Sequence, residues 1–216
     1  MKINEVNPNP KLNEAGEIVQ QMYQRKNKIM SWPSNEKPTI QGLVKELNDP
    51  LLTFLTSKDL DFFIHYGQAW LDLNPNNIWD DKSEMPVVND MLEDPVYFAT
   101  KKSTVFEIVK MHPKMYGFYA KQGFNSSHPS FTPETNLIQK YALNILNGEK
   151  FPLPYLRYIL TKDGVDFGQE GRHRAIVADM LGATLMPCII IAGISPPTND
   201  SAKLREFSGK IFDQFE

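Results

Sequence analysis

Apolar residues recur at helical spacing in the early part of the chain, and strand-like runs come only later. Residues 14–30 place Ile18, Val19, Met22, Tyr23, Ile29 and Met30 on one face. Arg25, Lys26 and Lys28 lie on the other, which reads as a solvated face. The polar stretch before it, residues 1–13 with Asn7-Pro8-Asn9-Pro10, reads as an extended arm. Helical pattern resumes from Thr39 to Asn48 and from Leu51 to Leu73, the second stretch rich in Leu51, Leu55, Phe62, Phe63, Tyr66 and Trp70. His65 falls within that apolar stretch and reads as a core histidine. Asn74-Pro75-Asn76-Asn77 ends the element by turn chemistry. Residues 78–103 are irregular and acid-rich, with a carboxylate spacing that matches no ion-binding loop, and are expected to be a solvated boundary segment.

The character changes at Thr104. Val105, Phe106, Ile108 and Val109 predict a strand, and Met111-His112-Pro113 turns into a helix carrying Met115, Tyr116, Phe118 and Tyr119. Residues 123–130 read as a loop long enough to act as a flap, or merely to connect. Thr132 and Pro133 suit the cap and first position of a helix whose face is Leu137, Ile138, Tyr141, Ala142, Ile145 and Leu146, stopped by Gly148. Tyr155–Leu160 and Val165–Phe167 flank Lys162-Asp163-Gly164, a hairpin signal. A short helix follows, with Gly182 at its C-terminal cap, then the apolar run Met186–Ala192 of a buried strand. After the linker Ser195–Asp200, residues 202–215 predict a short amphipathic helix.

Between the hairpin and that short helix lies Phe167-Gly168-Gln169-Glu170-Gly171-Arg172-His173-Arg174. A helix N-terminus offers backbone N–H groups and the positive end of the helix dipole. Gly168 and Gly171 are expected to let the backbone approach a ligand, and Arg172, His173 and Arg174 to add charge and hydrogen-bond donors. Together these parts suit a phosphate group. A glycine-bearing turn with solvated arginines is the plain alternative.

Composition narrows the class without changing this picture. The 216 residues carry a net charge of −3, which argues against a whole-surface nucleic-acid binder and leaves room for a local basic patch. The single Cys188 sits in the apolar run, so no intrachain disulfide forms and the thiol reads as a small buried hydrophobe. With no membrane-length apolar run and no secretory signal, a cytoplasmic protein is expected.

The run Leu153–Ile191, LPYLRYILTKDGVDFGQEGRHRAIVADMLGATLMPCIII, resembles the shared fold of the ParB N-terminal domain, sulfiredoxin and free serine kinases. Gly171 and Arg174 match that family's glycine-x-x-arginine, and Ala175, Gly182 and Pro187 fall at its later positions. The resemblance covers roughly residues 104–194. It implies an α+β fold, a small mixed sheet with flanking helices; the periodicity adds a mostly helical extension at residues 1–103 and a linker and tail at 195–216. It further implies a nucleotide, ATP or CTP, held by Gly171, Arg172, His173 and Arg174; the reading of the turn adds Gly168 and Gln169 to that site, and Mg2+ would bridge the phosphates.

Departures from the pattern exclude two members. Arg172 stands where sulfiredoxin has its cysteine, so that repair chemistry lacks a nucleophile. Ala175 replaces the second arginine of the ParB box and no basic helix-turn-helix follows Ile194, against a centromere-binding role. The remaining likeness is to the stand-alone "ParB-like nuclease" type of domain common in phage and mobile-element genomes. Three functions are then open. One is a metal-dependent nuclease or NTP-using phosphoryl-transfer enzyme with Asp166 or Glu170 as metal ligand or base. Another is a module that binds a nucleotide or DNA phosphate without chemistry. The third is an assembly protein, for example of a phage particle, contacting a protein partner through the N-terminal arm or the C-terminal tail.

Overall fold

The computed structural model describes residues 9–25, 40–56, 59–83, 103–122, 134–197 and 199–216, in an α+β arrangement. The chain divides into two compact units. One comprises Met1–Asn74 with Leu146–Gly148, the other Pro75–Ile145 with Glu149–Glu216. The division falls at the Asn74-Pro75 turn, not within the acid-rich stretch. Beyond that turn Ile78 and Trp79 are already buried in the second unit, where strand β1 (Trp79–Asp80) pairs in parallel with β3 (Phe151–Pro152).

The first unit is helical. Helix α1 (Pro10–Arg25) begins inside what reads as an arm, because Asn9 accepts the Lys11 amide through its side chain and Pro10 sits at the first helical position. Helices α2 (Ile40–Leu47) and α3 (Leu60–Asp72) pack against α1, burying Ile18, Val19, Met22, Val44, Phe63 and Trp70. The stretch read as one helix from Leu51 is a 3-10 turn, Leu52–Phe54, and then α3, whose start is capped by Asp59. His65 is exposed and meets the Tyr66 ring edge-on at 4.9 Å, because the buried phase of α3 runs through Phe63, Gly67 and Trp70. Arg25 closes the C-terminal end of α3, donating to the carbonyls of Trp70, Leu71 and Leu73 with its guanidinium 4.9 Å over the Trp70 ring.

In the second unit, strands β2 (Thr104–Met111), β4 (Tyr155–Thr161), β5 (Gly164–Glu170) and β6 (Met186–Ile194) form one sheet in the order β2-β6-β4-β5. The inner pair β4 and β6 is parallel, and each makes an antiparallel pair with its outer neighbour. That inner position explains the continuous apolar run of β6, whose Cys188 to Ile194 segment is buried throughout. Burial pushes the Cys188 thiol far up, out of the reactive range. Helix α4 (Pro113–Gln122) starts at Pro113, with His112 accepting the Lys114 amide at 3.1 Å. Helix α5 (Thr135–Leu146) ends before Gly148, which takes φ 90°. Helix α6 (Arg172–Met180) joins β5 to β6, and α7 (Ser201–Phe212), capped by Asp200, packs on β6 and β2.

The predicted hairpin is β4–β5 with a two-residue turn, Lys162-Asp163, and Gly164 at φ 124°. The extended arm at residues 1–8, most of the acidic segment, the flap at 123–130 and the cap at Thr132 lie outside the described residues.

Candidate functional site

The glycine-and-arginine segment is a strand and a helix start, and its side chains leave in different directions. Strand β5 runs through Gly168, Gln169 and Glu170 to the residue before Gly171, so the turn begins only at Gly171. Gly168 pairs across the strands with Arg157. A Cβ at 168 would lie 2.6 Å from one terminal guanidinium nitrogen of Arg157 and 2.8 Å from Cζ. The glycine therefore makes room for an arginine of the next strand. Arg157 is 3% exposed and ion-pairs with Asp166 at 3.1 Å.

Gly171 is needed for two reasons. Its φ of 119° strains any residue with a Cβ, and that Cβ would collide with the ring of Pro154, whose Cα would stand 3.0 Å away. Arg174, one turn into α6, is 8% exposed. It donates to the Pro152 carbonyl at 2.8 Å and to Glu170 at 3.1 Å, the Glu170 side chain being 65% exposed. The glycine-x-x-arginine pair thus fastens α6 to the Phe151–Pro154 segment and is packed beneath it.

His173 accepts the Glu134 amide through Nε2 at 3.3 Å, which ties α6 to the residue preceding α5 and requires an unprotonated Nε2. Gln169 points to Tyr116. The fully buried Tyr116 donates its hydroxyl to the Glu170 carbonyl at 2.8 Å and lies 3.3 Å from the Tyr155 carbonyl, so that it holds α4 against the β5–α6 corner. Desolvation raises its hydroxyl well above the ordinary range. The helical pattern of α4 marks Tyr116 as apolar core. Its role as an anchor becomes visible only with the carbonyls in place.

Arg172 goes the other way. It lines a cleft of about 500 Å³ between α4 and α6. From α4 the wall takes Lys114, Gly117, Phe118 and Lys121, and from α6 Arg172, Ala175, Ile176 and Asp179. Both sets have offsets of three, four and seven residues, the stripe that a helix presents to one side. Three cationic residues and one carboxylate line it, and that carboxylate, Asp179, sits 3.9 Å from Lys114. Arg172 itself is 9% exposed, and burial lowers the pKa of its guanidinium, the sign of a charge held away from water. A cation in such surroundings attracts an anion more strongly than one in bulk water does.

Of the residues expected to act together, only Arg172 reaches the cleft. Asp166 and Glu170 share the Gly168 side of β5 but are each held by a buried arginine, Arg157 and Arg174 respectively. Among the described residues no three His, Cys, Asp or Glu side chains converge as a metal-binding group. Lys114 and Lys121 were legible as charges on a helix, but nothing in the sequence joined them to Arg172. No protein-family model matches the chain, and neither a curated protein nor a solved structure matches it. Among the described residues no helix is long and apolar enough to cross a membrane.

Proposed function

We propose that the protein binds a phosphate-bearing ligand, a nucleotide or a nucleic-acid phosphate, in the cleft between α4 and α6. The observation that carries this reading is the cleft wall, where Arg172, Lys114 and Lys121 meet a single carboxylate in an otherwise apolar recess. The strand, turn, strand, glycine-opened helix and strand of residues 155–194 support the ParB/sulfiredoxin likeness, and with it a phosphate ligand near the start of α6. The placement differs from what the likeness implies, since the contact falls to Arg172 in place of Gly171 and Arg174. Asp166 and Glu170 are engaged with arginines, so the reading is of a binding protein and not of a nuclease or kinase. A Mg2+ ion would enter on the nucleotide's own phosphates.

Calorimetric titration with ATP, CTP and a short single-stranded DNA, with and without Mg2+, tests this. Arg172→Gln and the exposed Lys121→Gln should each weaken binding and flatten its dependence on salt. A wild-type protein that binds none of these ligands refutes the reading and favours the assembly role.

A further inference from the structure

A feature of the same wall is not accounted for by phosphate alone. Gly117 lies inside α4, where glycine weakens a helix relative to alanine. It has no positive φ, and a Cβ built on it would meet no atom of the described residues within 4 Å. Neither backbone conformation nor close packing demands a glycine there. What the missing side chain does is leave the α4 side of the cleft bare.

Phe118 stands beside this bare stretch and is 60% exposed, the most open of the large apolar side chains among the described residues. The Tyr119 ring meets it edge-on at 5.6 Å, a contact that steadies the ring without covering both faces. Lys114 and Lys121 lie four residues before and three after it, on the same side of the helix. An aromatic face that no described residue covers, beside a backbone that none of them packs on and bordered by cations, fits a flat ring that carries negative charge at its edge. A bare phosphate uses none of the aromatic surface.

We infer that the cleft takes its ligand by a nucleobase as well as by phosphate, the base stacking on Phe118 over Gly117 and the phosphate meeting Arg172 and Lys121. This rests on the phosphate reading above and adds to it the place where the base is held. Stacking uses the π-face that every base has, so adenine and cytosine should bind with similar strength. The same chemistry is offered by a free nucleotide and by an unpaired stretch of nucleic acid.

The test is calorimetric titration of the full chain with inorganic tripolyphosphate, with ATP and with a short single-stranded DNA. The wild type should bind ATP more tightly than tripolyphosphate. Phe118→Ala should lose about 5- to 140-fold in affinity for ATP while its affinity for tripolyphosphate stays unchanged, and Phe118→Trp should restore ATP binding. Gly117→Leu, which fills the bare stretch, should weaken ATP more than tripolyphosphate. Since Phe118 is exposed, its replacement leaves the fold intact. DNA binding tighter than ATP assigns the strand as the ligand, and the reverse assigns the free nucleotide; both uphold the inference. Parallel losses for ATP and tripolyphosphate in Phe118→Ala, or no loss for either, overturn it. A wild type that binds tripolyphosphate as tightly as ATP also overturns it while sparing the phosphate site. A wild type that binds none of the three ligands removes the phosphate site, and this inference falls with it.

Discussion

Replacing Arg174 with Met keeps an unbranched apolar stem and removes the guanidinium, which separates the structural role of this residue from any ligand role. Two contacts are lost. The charge-assisted hydrogen bond to the Pro152 carbonyl is inside the protein, and such bonds contribute about 1.5–3 kcal/mol. The ion pair with Glu170 has one partner 65% exposed, so solvent screening limits it to about 1 kcal/mol or less. The expected loss is about 1.5–4 kcal/mol, a large part of the roughly 5–15 kcal/mol that stabilises a domain. Urea unfolding followed by circular dichroism reads it as a lower midpoint at unchanged slope. Glu170→Gln removes only the exposed pair and should cost about 1 kcal/mol at most. If Arg174→Met unfolds within about 0.5 kcal/mol of wild type, or Glu170→Gln costs as much as Arg174→Met, the assignment of Arg174 to the Pro152 carbonyl is refuted.

Three further expectations follow from the same geometry. Gly171→Ala should destabilise by about 2–5 kcal/mol, from roughly 1–2 of left-handed backbone strain and roughly 1–3 of overpacking on Pro154, whereas Gly182→Ala, at φ 85° with open space around it, should show the strain alone; equal melting temperatures for the two variants would count against the Pro154 contact. Gly117→Ala should stabilise by about 0.5–1 kcal/mol in thermal melts, and a loss of stability there would mean that the glycine is required by packing. Burial raises the Tyr158 hydroxyl from 10.0 to about 12, so the folded state holds its proton where the unfolded chain has lost it; stability should be full below pH 10 and decline from about pH 10 to 12, and that part of the decline should vanish in Tyr158→Phe, whose neutral-pH stability is unchanged or higher because the buried hydroxyl has no hydrogen-bond partner among the described residues.

Much of the second unit was legible because its signals are local. Alternation around Lys162-Asp163-Gly164 specifies the hairpin, Gly182 ends α6, and the run Met186–Ile194 needs the inner place in a sheet. The packing at Gly168 was not legible in the sequence, because the side chain that meets it lies on another strand. The Arg157 guanidinium that occupies its missing side chain's place is eleven positions back and pairs by register, which no local pattern displays. The start of α1 was legible and passed over, since Asn9-Pro10 carries a cap and a first-position proline and reads as an arm only if prolines are taken as breakers. The basic residues of the turn are adjacent in sequence but are engaged separately in the fold: His173 with the Glu134 amide, Arg174 with Pro152 and Glu170, and Arg172 in the cleft wall. The cleft was encoded in the matched offsets of Lys114, Gly117, Phe118 and Lys121 and of Arg172, Ala175, Ile176 and Asp179. Nothing short of the tertiary fold says that those two stripes face each other.

The most direct measurement is a side-by-side titration of Arg172→Gln and Arg174→Met with ATP, at a temperature where both variants are folded. The account predicts at least a tenfold loss of affinity in Arg172→Gln and wild-type affinity in Arg174→Met, the loss of one charged contact being about 1.5–3 kcal/mol. Wild-type affinity in Arg172→Gln together with a loss in Arg174→Met would return the phosphate to the Gly171 turn and contradict it.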